Sequence, residues 1–133
     1  MLIGLLDASD RYHAASAAAV QDALNREDRL SVPVSALAEV LVAPAREGPA
    51  AVQRVRDLLF RLPIAVAVAD EEVATLAAGL RAKHDAKHDA KLRLPDALVV
   101  ATALRLGADV LVTTARGWPT GRALGLTGRL VTV

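Results

Sequence analysis

Apolar positions along the chain change their spacing several times, and each change marks an element. Residues 1–6 are apolar almost throughout, a run too short for periodicity to separate a strand from the end of a helix. Asp7-Ala8-Ser9-Asp10 reads as a turn, with Ser9 or Asp10 placed to accept the next helix's free N–H groups. A helix is predicted over residues 11–25, with Ala15, Ala18, Ala19 and Leu24 on its inner face. Residues 30–34 form the first convincing strand. Ser35 is placed to cap the helix that follows, which carries Leu37, Glu39, Val40 and Leu41 before Pro44 interrupts it. Residues 53–62 are amphipathic through Val55, Leu58, Leu59 and Leu62. The apolar run 64–68, bounded by Pro63 and Asp70, reads as a buried strand.

A further helix starts at Asp70 and runs through Val73, Leu76, Ala77 and Leu80. Beyond a polar tract, Leu94-Pro95-Asp96 opens another helix, with Pro95 at the first helical position, where a missing N–H costs nothing. Ala97, Val100, Ala101 and Leu104 recur behind it at i, i+3, i+4 and i+7, one buried face, and Gly107 is the expected stop. Strands follow over 109–114 and 129–133, separated by a Gly/Pro/Thr-rich loop. Strands alternating with helices of this length predict an α/β fold with a mostly parallel, buried sheet, in one domain over residues 1–133. Ligands in such sheets bind beyond the carboxyl ends of the strands. Glu39 and Asp96 both follow a strand or connecting segment, and the pattern predicts that they converge there. For Asp96 a simpler role stays open, because an acid in a helix's first turn contributes roughly 0.3–1 kcal/mol by matching the helix dipole.

Composition narrows the chemistry. A 53% hydrophobic fraction with 2% aromatic implies a core of Ala, Val and Leu, closely packed and poor in rings. With no cysteine there is no disulfide, thiolate metal site or cysteine nucleophile, which fits a reducing cytoplasm. A net charge of +1 argues against general electrostatic attraction to nucleic acid, leaving only a local patch. No apolar run is long enough to cross a membrane, and the opening residues lack the basic start of a signal peptide. The absence of a phosphate-cradling glycine loop, a nucleophile elbow and a His-Glu-x-x-His motif disfavours NTPases, serine hydrolases and zinc proteases.

The Ser35-x-x-x-Glu39-Val40 helix, taken with residues 92–118, LRLPDALVVATALRLGADVLVTTARGW, resembles the PIN domain family, in particular VapC-type toxin ribonucleases. The likeness extends over nearly the whole chain, with 92–118 its specific part. It implies a three-layer α/β/α sandwich, Mg²⁺ or Mn²⁺ held by three or four carboxylates, and hydrolysis of RNA phosphodiester bonds. It also implies silencing by a cognate antitoxin and a homodimeric state. Position by position, Glu39 is similar to the family's second acid, Asp96 to its third, and Thr113 to the hydroxyl residue just before the fourth. The fourth acid itself would fall at position 115, where this chain has Ala115. The first acid admits two registers. In the favoured one, residues 1–6 are the helix that follows the central strand, so that strand and its aspartate lie upstream of Met1. In the other, residues 2–6 are the strand and Asp7-Ala8-Ser9 the acidic motif, leaving too few residues for the next helix.

Two further groups carry candidate chemistry. The tract 82–91 repeats Ala-Lys-His-Asp, placing His84 and His88 at the i, i+4 spacing of a zinc pair, with no third ligand identifiable. The same repeat aligns Lys83, Lys87 and Lys91 in a row able to meet phosphates, and Lys87 is the weak RNA-binding candidate, against a plain solvated helix extension. Arg116 is a second candidate for phosphate contact. Trp118 either packs its loop against the domain or stacks on a base, and Asp109 reads as a turn residue. Two functions remain: a Mg²⁺-dependent endoribonuclease with Glu39 and Asp96 as metal carboxylates, or a degenerate PIN-like protein that only binds an antitoxin or partner.

Overall fold

The computed structural model describes residues 1–85 and 92–133. The chain gathers into two compact units, Met1–Ala67 and Val68–Val133.

The first unit runs α1 (Leu2–Leu6), α2 (His13–Asn25), β1 (Leu30–Pro33), α3 (Val34–Glu47), α4 (Pro49–Arg61) and β2 (Ile64–Ala67). The opening apolar run is therefore helical, and the register that makes it a strand ending at Asp7 does not hold. Asp7 instead closes a turn, accepting the Ser9 N–H at 2.9 Å and the Ser9 hydroxyl at 2.6 Å. Asp10 takes the Tyr12 N–H at 2.7 Å just before α2, the end-of-turn role expected of it.

The inner face of α2 is Ser16, Val20 and Ala23, whereas Ala15 and Ala18 are exposed. A run of alanines presents nearly the same surface on every side, so its composition could not mark the buried face; Val20 does. Ser35 is not a cap. Helix α3 starts one residue earlier, with Pro33 at its N-cap, which puts Ser35 inside the first turn with its Oγ buried and unpartnered among the described residues. Nor does Pro44 interrupt α3, which continues to Glu47 and stops at Gly48, where φ is 118°. Pro44 lies in the last turn, so the helix forfeits little more than one hydrogen bond there, and the Pro44 carbonyl accepts the Gly48 N–H at 3.1 Å.

Strands β1 and β2 pair in parallel, Leu30 opposite Ile64 and Val32 opposite Val66. Leu2, Val32 and Leu59 form the buried cluster of this unit, with Leu37, Val40 and Ile64 packed against it. The run 64–68 is less buried than its composition implies: Val66 is 46% exposed. Strand β2 pairs with β1 alone among the described strands, and half of its apolar surface keeps contact with solvent.

The second unit runs α5 (Glu71–Asp85), α6 (Leu94–Leu106), β3 (Val110–Thr113) and β4 (Arg129–Thr132). Asp70 caps α5 as expected, its carboxylate accepting the Val73 N–H at 2.9 Å. Helices α5 and α6 bury Val73, Ala77 and Leu80 against Ala97, Val100 and Ala101, with Leu104 packed alongside. The period-3.6 reading of both helices is thus correct. Arg105, in the last turn of α6, reaches Glu72 at 2.7 Å and Asp70 at 3.4 Å, tying the end of α6 to the start of α5. Gly107 ends α6 in the left-handed region, at φ 59°.

Strands β3 and β4 form a second parallel couple, Val110 opposite Arg129 and Thr113 opposite Thr132. Gly128 permits their approach, because a Cβ there would collide with the carbonyl oxygens of Ala108 and Asp109. Leu124, in the loop between the strands, is 2% exposed and belongs to the α5–α6 core, so this long loop is pinned from within. The fold is α/β with parallel strands, as the alternation of elements predicts. Among the described residues, no helix is long and apolar enough to cross a membrane.

Candidate active site

Asp96 sits where α6 opens. The helix starts at Leu94, so Pro95 is its second residue rather than its first, still inside the turn where N–H groups lack partners. Arg93 is the N-cap and Asp96 the third helical residue. From there its carboxylate reaches back to accept the backbone N–H of Arg93, one half of a capping box. The same carboxylate accepts a second hydrogen bond from the indole N–H of Trp118. Burial is the largest influence on the group and pushes the Asp96 carboxyl above the ordinary aspartate range. The two N–H donors and the charge of Arg93 pull the other way.

Trp118 arrives from the loop after β3. Thr113, buried at the end of that strand, accepts the Ala115 N–H on its Oγ1 at 3.0 Å, which turns the chain. Gly117, at φ 82°, turns it again, and Trp118 then packs on the α5–α6 core, next to Asp96. Packing and polar contact coexist in this ring, whereas the sequence reading weighed packing against base stacking. The Asp96 contact went unforeseen. Its only signal was a donor-only side chain three residues beyond the position of the expected fourth acid. Ala115 brings no polar group to this end of β3, and Arg116 stands exposed on the loop.

Glu39 lies on α3 in the first unit, exposed, one helical turn after Ser35 with its unpartnered hydroxyl. The carboxylates of Glu39 and Asp10 both act on the Met1 amino group, so the two acids share the neighbourhood of the start of α1. Glu39 thus belongs to one compact unit and Asp96 to the other. Among the described residues no group of three or more His, Cys, Asp or Glu side chains is gathered as a metal site. His13 is engaged structurally, its Nδ1 2.8 Å from the Gly4 carbonyl. His84 lies in the last turn of α5, its Nε2 buried without a partner among the described residues, while His88, Lys87 and Lys91 lie outside the described residues.

An acid held at the start of a helix beside a parallel strand pair, followed by a strand ending in a buried threonine, is the arrangement around which residues 92–118 were read. Compared with family models, residues 2–118 match the PIN domain. The chain belongs to the PIN domain family. The match spans both compact units, and PIN domains in general are nucleases that depend on divalent metal ions. No curated protein and no solved structure gives a significant match.

Proposed function

We propose that this PIN domain is an endoribonuclease of the VapC toxin type, using Mg²⁺ or Mn²⁺, with Asp96 and Glu39 as its metal carboxylates. The observation that carries the reading is Asp96 itself: a partly desolvated carboxylate, oriented by two N–H donors, at the position that matches a family acid. The donor chemistry fits. Mg²⁺ and Mn²⁺ take hard oxygen ligands, often one or two carboxylates completed by waters and substrate phosphates. A carboxylate whose charge is disfavoured by burial is the kind of group a divalent cation stabilises. Near Glu39, the orphaned Ser35 hydroxyl offers a further polar oxygen.

When bound, the ion supplies an activated water and offsets charge on the phosphodiester as it is cleaved. The chain's own part is to hold Asp96 ionised and fixed through the Arg93 and Trp118 donors, and to present Glu39. Arg116, exposed beside this end of β3, is placed for a phosphate, and Lys87 is the second such candidate. The reading takes residues 1–133 as one domain acting in the cytoplasm, homodimeric, with an antitoxin as its protein partner.

Ala115 favours a second reading, a degenerate PIN domain that keeps only partner binding, because the family's fourth acid is missing there. A cleavage assay on RNA with Mg²⁺ or Mn²⁺ separates the two, comparing the wild type with Asp96→Asn and Ala115→Asp. The nuclease reading expects cleavage that disappears in Asp96→Asn and rises in Ala115→Asp. Absence of any Asp96-dependent cleavage, with antitoxin binding retained, sinks it.

A further inference from the structure

The loop after β3 meets Asp96 with a hydrogen-bond donor and with no second acid. We propose that Trp118 is a positioning residue for Asp96, its indole N–H holding the carboxylate in one orientation so that the remaining oxygen lone pairs face a divalent cation. This rests on the reading of Asp96 as a metal ligand. Carboxylate rotation about its last torsion is broad and roughly two-fold, so a single donor leaves the plane loosely set. Two donors on different segments, the Arg93 backbone and the Trp118 ring, define it. Indole nitrogen only donates, so the contact cannot invert with tautomer or pH, unlike one from histidine.

Its position is secured by the fold rather than by the loop alone. Thr113 and Gly117 set the two turns that deliver the ring, and the ring's apolar body is packed on a core that includes Ala97, the residue next to Asp96. A carboxylate from position 115 would add charge near the ion and disfavour the ionised form of Asp96 in its absence. Trp118 does the reverse, favouring that form without adding charge. In this chain, support for Asp96 from the β3 loop has passed from an acid to a neutral donor. Groups that orient a metal ligand from behind typically govern about 10–100-fold in metal affinity.

Trp118 is the chain's one tryptophan, which makes the test direct. The indole ¹H–¹⁵N resonance is recorded for the wild type and for Asp96→Asn, without metal, and Mn²⁺ affinity is measured by calorimetry for the wild type, Asp96→Asn and Trp118→Phe. The expected results are a downfield indole proton that moves upfield in Asp96→Asn, loss of Mn²⁺ binding in that variant, and roughly ten-fold weaker binding in Trp118→Phe. Mn²⁺ is also expected to quench wild-type tryptophan emission. An indole resonance indifferent to Asp96→Asn overturns the hydrogen bond, and with it the proposal, even if Trp118→Phe fails to fold. A resonance that moves while folded Trp118→Phe binds Mn²⁺ as tightly as the wild type overturns the positioning role and leaves the metal reading standing. Unchanged Mn²⁺ binding in Asp96→Asn overturns the metal reading, and the positioning role falls with it.

Discussion

Replacing Asp96 by asparagine distinguishes a metal carboxylate from a helix cap, because the two roles put the loss in different measurements. As a cap, the residue contributes its charge at the N-terminus of α6, about 0.3–1 kcal/mol, together with the Arg93 and Trp118 hydrogen bonds. Asn keeps an acceptor for both N–H groups, and the change from a charged to a neutral acceptor weakens each by about 1 kcal/mol at most before screening. The side chain is only partly buried, so solvent screening reduces these figures further. Against them stands the desolvation of the carboxylate, the largest influence on the group, which the neutral amide largely avoids. The opposing effects nearly cancel, and unfolding in denaturant with chelator at neutral pH is expected to show a change within about 1 kcal/mol. Cleavage should fall much further. Removing a residue behind a metal ligand costs roughly 10–100-fold, and removing the ligand itself should exceed the upper end of that range. A loss of stability beyond about 2 kcal/mol with cleavage unchanged would refute this reasoning and return Asp96 to the role of a structural cap.

Other expectations follow from the second unit. Gly128→Ala should destabilise by about 1–3 kcal/mol or more, since its Cβ meets the backbone oxygens of Ala108 and Asp109, which cannot rotate away. Gly79→Ala, in α5 with open space around the new methyl, should instead stabilise by about 0.5–1 kcal/mol, and chemical denaturation of the pair checks both signs. Leu124→Ala should cost about 2–5 kcal/mol by leaving a cavity in the α5–α6 core, and indole fluorescence should report loosening of the Trp118 loop. The Val73 N–H, helped by Arg105, holds the exposed Asp70 carboxyl below the usual aspartate range. Its contribution is therefore present at neutral pH and fades as pH falls through the ordinary aspartate range to the lowered folded value. Stability of Asp70→Asn relative to the wild type should show a deficit at pH 7 that closes toward about pH 3.

Much of α5 and α6 was legible because large aliphatic residues mark a face among polar ones, and period 3.6 then has one solution. Val73, Ala77 and Leu80 and Ala97, Val100 and Ala101 are all buried as their spacing predicts. In α2 the same method failed, since alanine on every side leaves no contrast to read. Ser35 and Pro44 were misread for a related reason. Their local preferences argue for a cap and a break, but packing of α3 against its unit outweighs a preference of roughly 1 kcal/mol at a cap. At the candidate site, Asp96 and Glu39 were visible through their likeness to a family pattern. Trp118 was visible only as an aromatic residue near that pattern.

By itself, then, the sequence determined the alternation of helix and strand, the apolar faces of the helices that bear large side chains, the stop at Gly107 and the acid at the opening of α6. These are local properties, decided by side-chain spacing and backbone preference within a few residues. Tertiary structure alone decided that residues 2–6 form a helix, that α3 runs through Pro44, and that the strands pair Leu30 with Ile64 and Val110 with Arg129. It also brought an indole N–H from the loop after β3 onto the Asp96 carboxylate, twenty-two positions back along the chain. Contacts of that kind depend on two turns and a shared core closing together, and no window of neighbouring residues encodes them.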